Sequence, residues 1–240
     1  MTKRTFHNAI LRHSNQFHEN FLGYSINLGN GKDGYSDSYR GIMTKIIQDL
    51  ESQRDLYDSL FIMRFDLMLG EGGAMRDRQS QKVMPLFCKE VSEYLNKTVK
   101  NPRNPLQAQL RNHKGAYVRW VREYSNNKGF HYHCYICFDA KKLAVIGKDS
   151  NEIDSLKSLL THYWLKCCNG LEQSNKPYVH INSGRLTASY LVRNNSKDGG
   201  QSMFNKAVYH LSYLAKTRTK GYNKAYNKGL STHSIKVRGC

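Results

Sequence analysis

The chain has 240 residues, 39% apolar and 11% aromatic, which is enough for a sizeable buried core and excludes wholesale disorder. Lys and Arg total 37 against 19 Asp and Glu, a formal charge of +18. Such an excess repels itself in the folded state, and a polyanion relieves it. No run of about 18 apolar residues occurs and the first residues lack an apolar signal core, so no membrane partner and a cytoplasmic location are expected.

Residues 1–38 are polar, with Gly29, Gly31 and Gly34 close together, and are expected to be a loosely structured lead-in. Gly29-Asn30-Gly31-Lys32 has neither the spacing nor the preceding strand of a phosphate loop, so no ATP site is expected. Ile42, Ile46, Leu50 and Tyr57 at helical spacing predict a helix from Tyr39 to about Tyr57. Phe61, Met63, Phe65, Leu67 and Leu69 alternate with Ile62, Arg64, Asp66 and Met68, which predicts a strand over Leu60–Leu69. Ser80 to about Val99 is predicted helical, with Pro85 delaying its start. Ala116–Tyr124 and Phe130–Phe138 read as strands around the turn Ser125–Gly129. An amphipathic helix follows over Ile153–Cys167, then a short strand over Pro177–Ile181, an extra one over Leu186–Val192, and a last helix from Met203 to about Thr217.

From residue 60 the order is β-α-β-β-α-β-α. This predicts an α+β fold, a split βαβ (ferredoxin-like) antiparallel sheet with helices packed on one face. Residues 1–58 are expected to be an N-terminal lead-in and helix, and residues 59–240 the functional domain with a basic tail. The six cysteines lack a framework spacing. Cys134 and Cys137 fall on opposite faces of a strand, Cys167 and Cys168 are adjacent, and reduced, partly buried thiols are expected.

The chemistry centres on His131-Tyr132-His133. Residues two apart on a strand share a face. Phe130, Tyr132, Cys134, Ile136 and Phe138 make the apolar side, so both imidazoles are expected on the face not needed for burial, where they suit a shared metal ion. A regular hairpin puts Glu123 opposite His131, about 5 Å away on that face; the alternative is a surface strand residue paired with Arg119 or Arg122, and beside two histidines the ligand is the expected role. Two imidazoles and a carboxylate leave open positions on the ion, as phosphate chemistry requires, and they accept Mg²⁺ or Mn²⁺. Arg64 and Asp66 share the less apolar face of a strand expected beside the histidine strand. Asp66 is a reserve ligand and Arg64 a phosphate contact, against the alternative of a structural pair.

On the last predicted helix, Phe204, Val208, Leu211 and Ala215 make one apolar stripe. Tyr209, Tyr213 and Lys216 lie on the other side. A phenol is a poor nucleophile at neutral pH, and a cation one turn away assists it; surface aromatics that stack on bases are the alternative. No acid occurs from Gly199 to Cys240, while Lys206, Lys216, Arg218, Lys220, Lys224, Lys228, Lys236 and Arg238 interleave with Tyr209, Tyr213, Tyr222 and Tyr226. Cations among aromatics suit single-stranded nucleic acid.

Glu123-x7-His131-Tyr132-His133 followed by Tyr209-x3-Tyr213-Leu214-Ala215-Lys216 resembles the HUH endonucleases, the superfamily of rolling-circle replication initiators. With Arg64-Phe65-Asp66-Leu67, the set looks most like the inovirus-type branch of filamentous phages and prophages. The resemblance covers about residue 58 onward. It implies that Glu123, His131 and His133 hold a divalent ion at the scissile phosphate of origin DNA. Tyr213 attacks, leaving a 5′-phosphotyrosine and a free 3′-OH primer; Lys216 assists and Tyr209 takes a second transfer. It also implies a bacterial host cytoplasm, a separate helicase and a host polymerase. Arg64, Arg119, Lys206, Arg218, Lys220 and Lys224 are the expected DNA contacts. Tyr132 departs from the usual aliphatic residue, and Ser212 stands where a lysine would follow Tyr209. Alternatives are a relaxase or single-strand transposase of the same superfamily, or a non-catalytic basic single-strand binder.

Overall fold

The computed structural model describes residues 10–11, 18–27, 38–69, 77–97, 116–125, 129–146, 152–169, 177–181, 189–215 and 234–235. In chain order they form β1 (Ile10–Leu11), β2 (His18–Phe21), β3 (Tyr24–Asn27), β4 (Ser38–Tyr39), α1 (Arg40–Arg54), β5 (Ser59–Met68), α2 (Asp77–Lys97), β6 (Tyr117–Ser125), β7 (Gly129–Asp139), α3 (Leu143–Ile146), α4 (Glu152–Cys168), β8 (Tyr178–His180), β9 (Ser189–Arg193), α5 (Gln201–Ser212) and β10 (Ser234–Ile235). Short 3-10 turns occupy Ala140–Lys142 and Tyr213–Ala215.

The fold is α+β around an antiparallel sheet. Its strand order is β10-β6-β7-β5-β8, with β5 between the two strands that follow it third and fourth in the split βαβ arrangement. β8 pairs with Asp66–Met68 and β9 with Ser59–Met63, so the two lie end to end along one edge of β5. β7 takes the other edge of β5 along its length.

Period-two alternation decides which side chains face which layer. Phe61, Met63, Phe65 and Leu67 of β5, with Tyr132, Cys134, Ile136 and Phe138 of β7, pack against Met84, Phe87 and Val91 of α2 and Leu156, Leu160 and Trp164 of α4. The Trp164 indole N–H donates to the Met68 carbonyl at 2.8 Å, which ties α4 to the end of β5.

The expectation of helices on one face is corrected. The opposite face is also covered, by α1 and α5 together with the β2–β3 hairpin. Ile42, Ile46 and Leu50 of α1, Phe204, Val208 and Leu211 of α5, and Ile26 of β3 form one core with Ile62, Val121, Tyr135 and Cys137 of the sheet. Part of the lead-in is therefore structural: Tyr24 and Ile26 are buried, and residues on either side of position 58 share that core. The helix expected to start near Ser80 begins at Asp77 and carries Pro85 inside it. Pro85 is on the exposed side, where water can take the carbonyl that loses its partner, while burial of Met84, Phe87, Cys88 and Val91 holds the turns on either side. Cys88, Cys134, Cys137, Cys167 and Cys168 are buried free thiols.

The entry to α5 is specified locally. Asp198 accepts from the backbone N–H of Gly200 at 3.0 Å and of Ser202 at 3.0 Å, and Gly200 adopts φ 73°. A Cβ there would lie 2.8 Å from Val192 Cγ1 and 2.9 Å from the Arg193 carbonyl oxygen, so only glycine lets α5 leave β9 at this distance. At the other end, Ser212 Oγ accepts from the Asn27 N–H at 2.7 Å and donates to the Tyr209 carbonyl at 2.6 Å. This bond pins α5 to the hairpin, and it gives Ser212 a structural task where the resemblance would place a lysine.

Candidate metal centre

Hairpin pairing sets Glu123 opposite His131 and Tyr124 opposite Phe130, as the turn length predicts. β5 pairing sets Asp66 opposite His133 and Met68 opposite His131. Glu123, His131, His133, Asp66 and Arg64 thus occupy one face across three adjacent strands. His133 Nε2 lies 3.2 Å and His131 Nε2 3.8 Å from Glu123 Oε2, and one donor atom from each residue falls within 4.8 Å of the others. Donor atoms each about 2.1 Å from an ion stand roughly 3–3.5 Å apart; the Glu123–His133 separation falls in that range and the Glu123–His131 separation lies slightly above it, so the three are a candidate set for one divalent cation.

Asp66 does not join the three donors. Its Oδ1 lies 2.7 Å from His133 Nδ1, which commits that nitrogen and turns Nε2 toward Glu123. A carboxylate behind a ligand imidazole fixes tautomer and ring orientation. The expectation of Asp66 as a reserve ligand is corrected to this supporting position, set by the closeness of the β5–β7 pairing. Burial works against a charged His133, but hydrogen bonds to Asp66 and Glu123 hold its pKa above the ordinary histidine value. Burial likewise works against a charged Asp66. The His133 hydrogen bond and charge, with Arg64 and His180, hold it below the ordinary carboxylate value.

The histidines are more enclosed than expected. His131 is 5% and His133 9% exposed, because α1 and α5 roof this face. The roof brings Tyr213 to the site. Its ring centroid is 6.3 Å from that of His133, edge to face, and the Arg64 guanidinium sits 4.7 Å from the same ring centroid. Arg64 is itself buried, 3.9 Å from Asp66 Oδ1, and among the described residues its Nε finds no hydrogen-bond partner. Tyr213 falls in the 3-10 turn that ends α5 rather than in a continuing helix. Tyr209, one turn earlier, is half-buried on α5.

Other expected site residues fall elsewhere. Arg119 is corrected as a DNA contact: it is 1% exposed, paired with Asp49 of α1 and with the Tyr117 hydroxyl, so it has no surface to offer a strand. Lys206 is exposed on α5. Lys216, Arg218, Lys220 and Lys224 lie outside the described residues. Three neighbours of the site carry no sequence motif. His180 is directly opposite Asp66. Tyr190 and His210 form a buried pair, hydroxyl to Nδ1 at 3.1 Å, and burial pushes the Tyr190 phenol up to about 12 against the opposing effect of Arg64. Strand order places His180 and Tyr190, and the packing of α5 on β9 places His210.

These features define an α+β protein with a candidate divalent-metal centre on one face of an antiparallel sheet and a tyrosine at its rim. The family model of the YagK/YfjJ C-terminal domain matches residues 21–231, and the chain belongs to that family. It is similar to the uncharacterized protein YfjJ of Escherichia coli strain K12, 26% identical over 109 residues, 45% of this chain and 50% of that protein. The chain thus spans about half the length of the curated relative it matches. No solved structure matches it.

Proposed function

We propose that the protein is a replication initiator of the HUH endonuclease type, which nicks single-stranded origin DNA by tyrosine transesterification and so starts rolling-circle copying. The observation that carries this reading is the approach of Tyr213 to His133, ring centroids 6.3 Å apart, from the turn that ends α5, some 80 residues further on in sequence.

Glu123, His131 and His133 would hold the ion, with Asp66 orienting His133. Bound there, a divalent cation such as Mg²⁺ or Mn²⁺ supplies positive charge to the non-bridging oxygens of the scissile phosphate. The Tyr213 hydroxyl oxygen bonds to phosphorus as the bond from phosphorus to the 3′ oxygen breaks. The phenol loses its proton and the departing oxygen gains one, leaving a 5′-phosphotyrosine and a 3′-OH primer. Arg64 keeps the Tyr213 ring against the site through its cationic face contact and offers the unpaired Nε–H to phosphate. Lys216, which lies outside the described residues, is the proposed assisting cation, and Tyr209 the acceptor of a second transfer. Unwinding and synthesis belong to a separate helicase and a host polymerase.

The test is incubation of the protein with labelled single-stranded DNA tiled across the replicon that encodes it, with Mn²⁺. An SDS-resistant protein–DNA adduct is expected, lost in EDTA and in Tyr213→Phe. An adduct that survives Tyr213→Phe and Tyr209→Phe overturns the assignment.

A further inference from the structure

β8 brings two side chains to the metal-bearing face. Tyr178 and His180 are two residues apart on a strand and share a side. Val179 between them is buried under the α2–α4 layer, so Tyr178 and His180 point to the side of the histidine pair. The registers place them in its rows: His180 opposite Asp66, itself opposite His133; Tyr178 opposite Met68, itself opposite His131. Each stands two strands from an imidazole, about 10 Å. The roof that encloses the histidines does not reach this edge. His180 is exposed, and Tyr178 is 48% exposed, the one Phe, Tyr or Trp among the exposed large hydrophobic residues described. Elsewhere on this face Tyr117, Tyr135 and Tyr190 are buried. One exposed tyrosine is ordinary; a bare ring level with a ligand cluster, beside an imidazole, in a chain of charge +18, has the makings of a nucleotide contact.

We propose that Tyr178 and His180 form a subsite for single-stranded DNA. Tyr178 stacks on an unpaired base of a nucleotide adjoining the phosphate at Glu123, His131 and His133, and His180 hydrogen-bonds that nucleotide's backbone. The inference rests on the nuclease reading for the position of the phosphate. It deepens that reading by making the substrate unpaired at this point, because a base stacked inside a duplex has no face free for the ring.

The experiment uses the full chain in EDTA, where no cleavage occurs. Its probe is a fluorescein-labelled oligothymidylate of roughly 12 nucleotides, within the span of single-strand sites, alone and annealed to its complement. Tyr178→Ala is expected to weaken single-strand binding about tenfold, Tyr178→Phe to restore it, and the duplex to bind all three proteins alike. Photocrosslinking of a 5-iododeoxyuridine-substituted oligomer is expected to label the peptide carrying Tyr178. Undiminished binding by Tyr178→Ala, an equal loss in Tyr178→Phe, or crosslinks only at other peptides overturns the subsite. If Tyr178-dependent binding holds while no Mn²⁺-dependent adduct forms on any DNA, the subsite stands and the nuclease reading falls; the reverse pattern removes the subsite alone.

Discussion

Two polar clusters lie on the same face of the same sheet, one row apart, and they behave differently. In the first, Asp49 of α1 reaches down to Arg119, which also contacts the Tyr117 hydroxyl. It is closed beneath α1 and pairs opposite charges, so it is a structural ion pair whose worth lies in not being broken. In the second, Glu123 faces two imidazoles, Asp66 holds one of them from behind, and Tyr213 stands at the rim. Here the groups pair with one another, and three of them also bring one potential ligand atom each within 4.8 Å of the others. Burial alone does not separate the clusters, since both are nearly inaccessible. What separates them is composition: the first joins a guanidinium to a carboxylate, and the second gathers two imidazoles and a carboxylate, groups that bind metal ions.

Substitutions sharpen this contrast. The largest expected effect on stability is in the closed cluster: Asp49→Ala leaves the Arg119 guanidinium buried without its carboxylate and costs about 3–5 kcal/mol in urea unfolding, with Mn²⁺ affinity unchanged. Equal losses of both would mean that the clusters are one unit. The double change His131→Ala with His133→Ala is expected to strike both properties. It lowers Mn²⁺ affinity by more than the roughly 10–100-fold that loss of an outer partner costs, measured by calorimetry, and it also lowers the unfolding midpoint, because the buried Asp66 and Glu123 carboxylates lose their imidazole partners. Asp66→Ala takes the intermediate place, with a loss of about 10–100-fold in affinity, because it frees the His133 ring without removing a donor. Smallest in its effect on Mn²⁺ affinity is Gly200→Ala. It adds to the left-handed φ, about 1–2 kcal/mol, a Cβ 2.9 Å from the Arg193 carbonyl oxygen, so the unfolding midpoint falls by more than the φ alone would cause, and α5 and with it Tyr213 shift without a change in either cluster.

Much of this arrangement was legible in the sequence because it is local. The alternation of Phe61 to Leu69 fixes a strand and its faces, and the length of the turn at Ser125–Gly129 sets Glu123 across from His131. The stripe Phe204, Val208, Leu211, Ala215 marks the buried side of α5, and all four are buried. The misses are contacts between distant segments. A lone arginine on a strand looks solvent-facing until Asp49, 70 residues earlier, is known to cover it. Asp66 looks like a ligand until the strand order puts His133 Nδ1 within 2.7 Å. The roof of α1 and α5 was hidden because the histidine face mixes polar and apolar residues, with Val121 directly opposite His133 and Ile62 opposite Cys137, so its alternation reads as half-exposed. Tyr178 and His180 sit on a strand of three residues, too short for periodicity to reveal a face.

The central claim is that the last helix delivers its phenol to the metal centre, and its most direct measurement locates the covalent bond. The adduct formed with Mn²⁺ is digested with nuclease and protease, and the residual nucleotide is mapped by mass spectrometry. The account expects it on the peptide carrying Tyr213, through the phenolic oxygen. A nucleotide attached to any residue outside α5 and the turn that ends it would contradict the account.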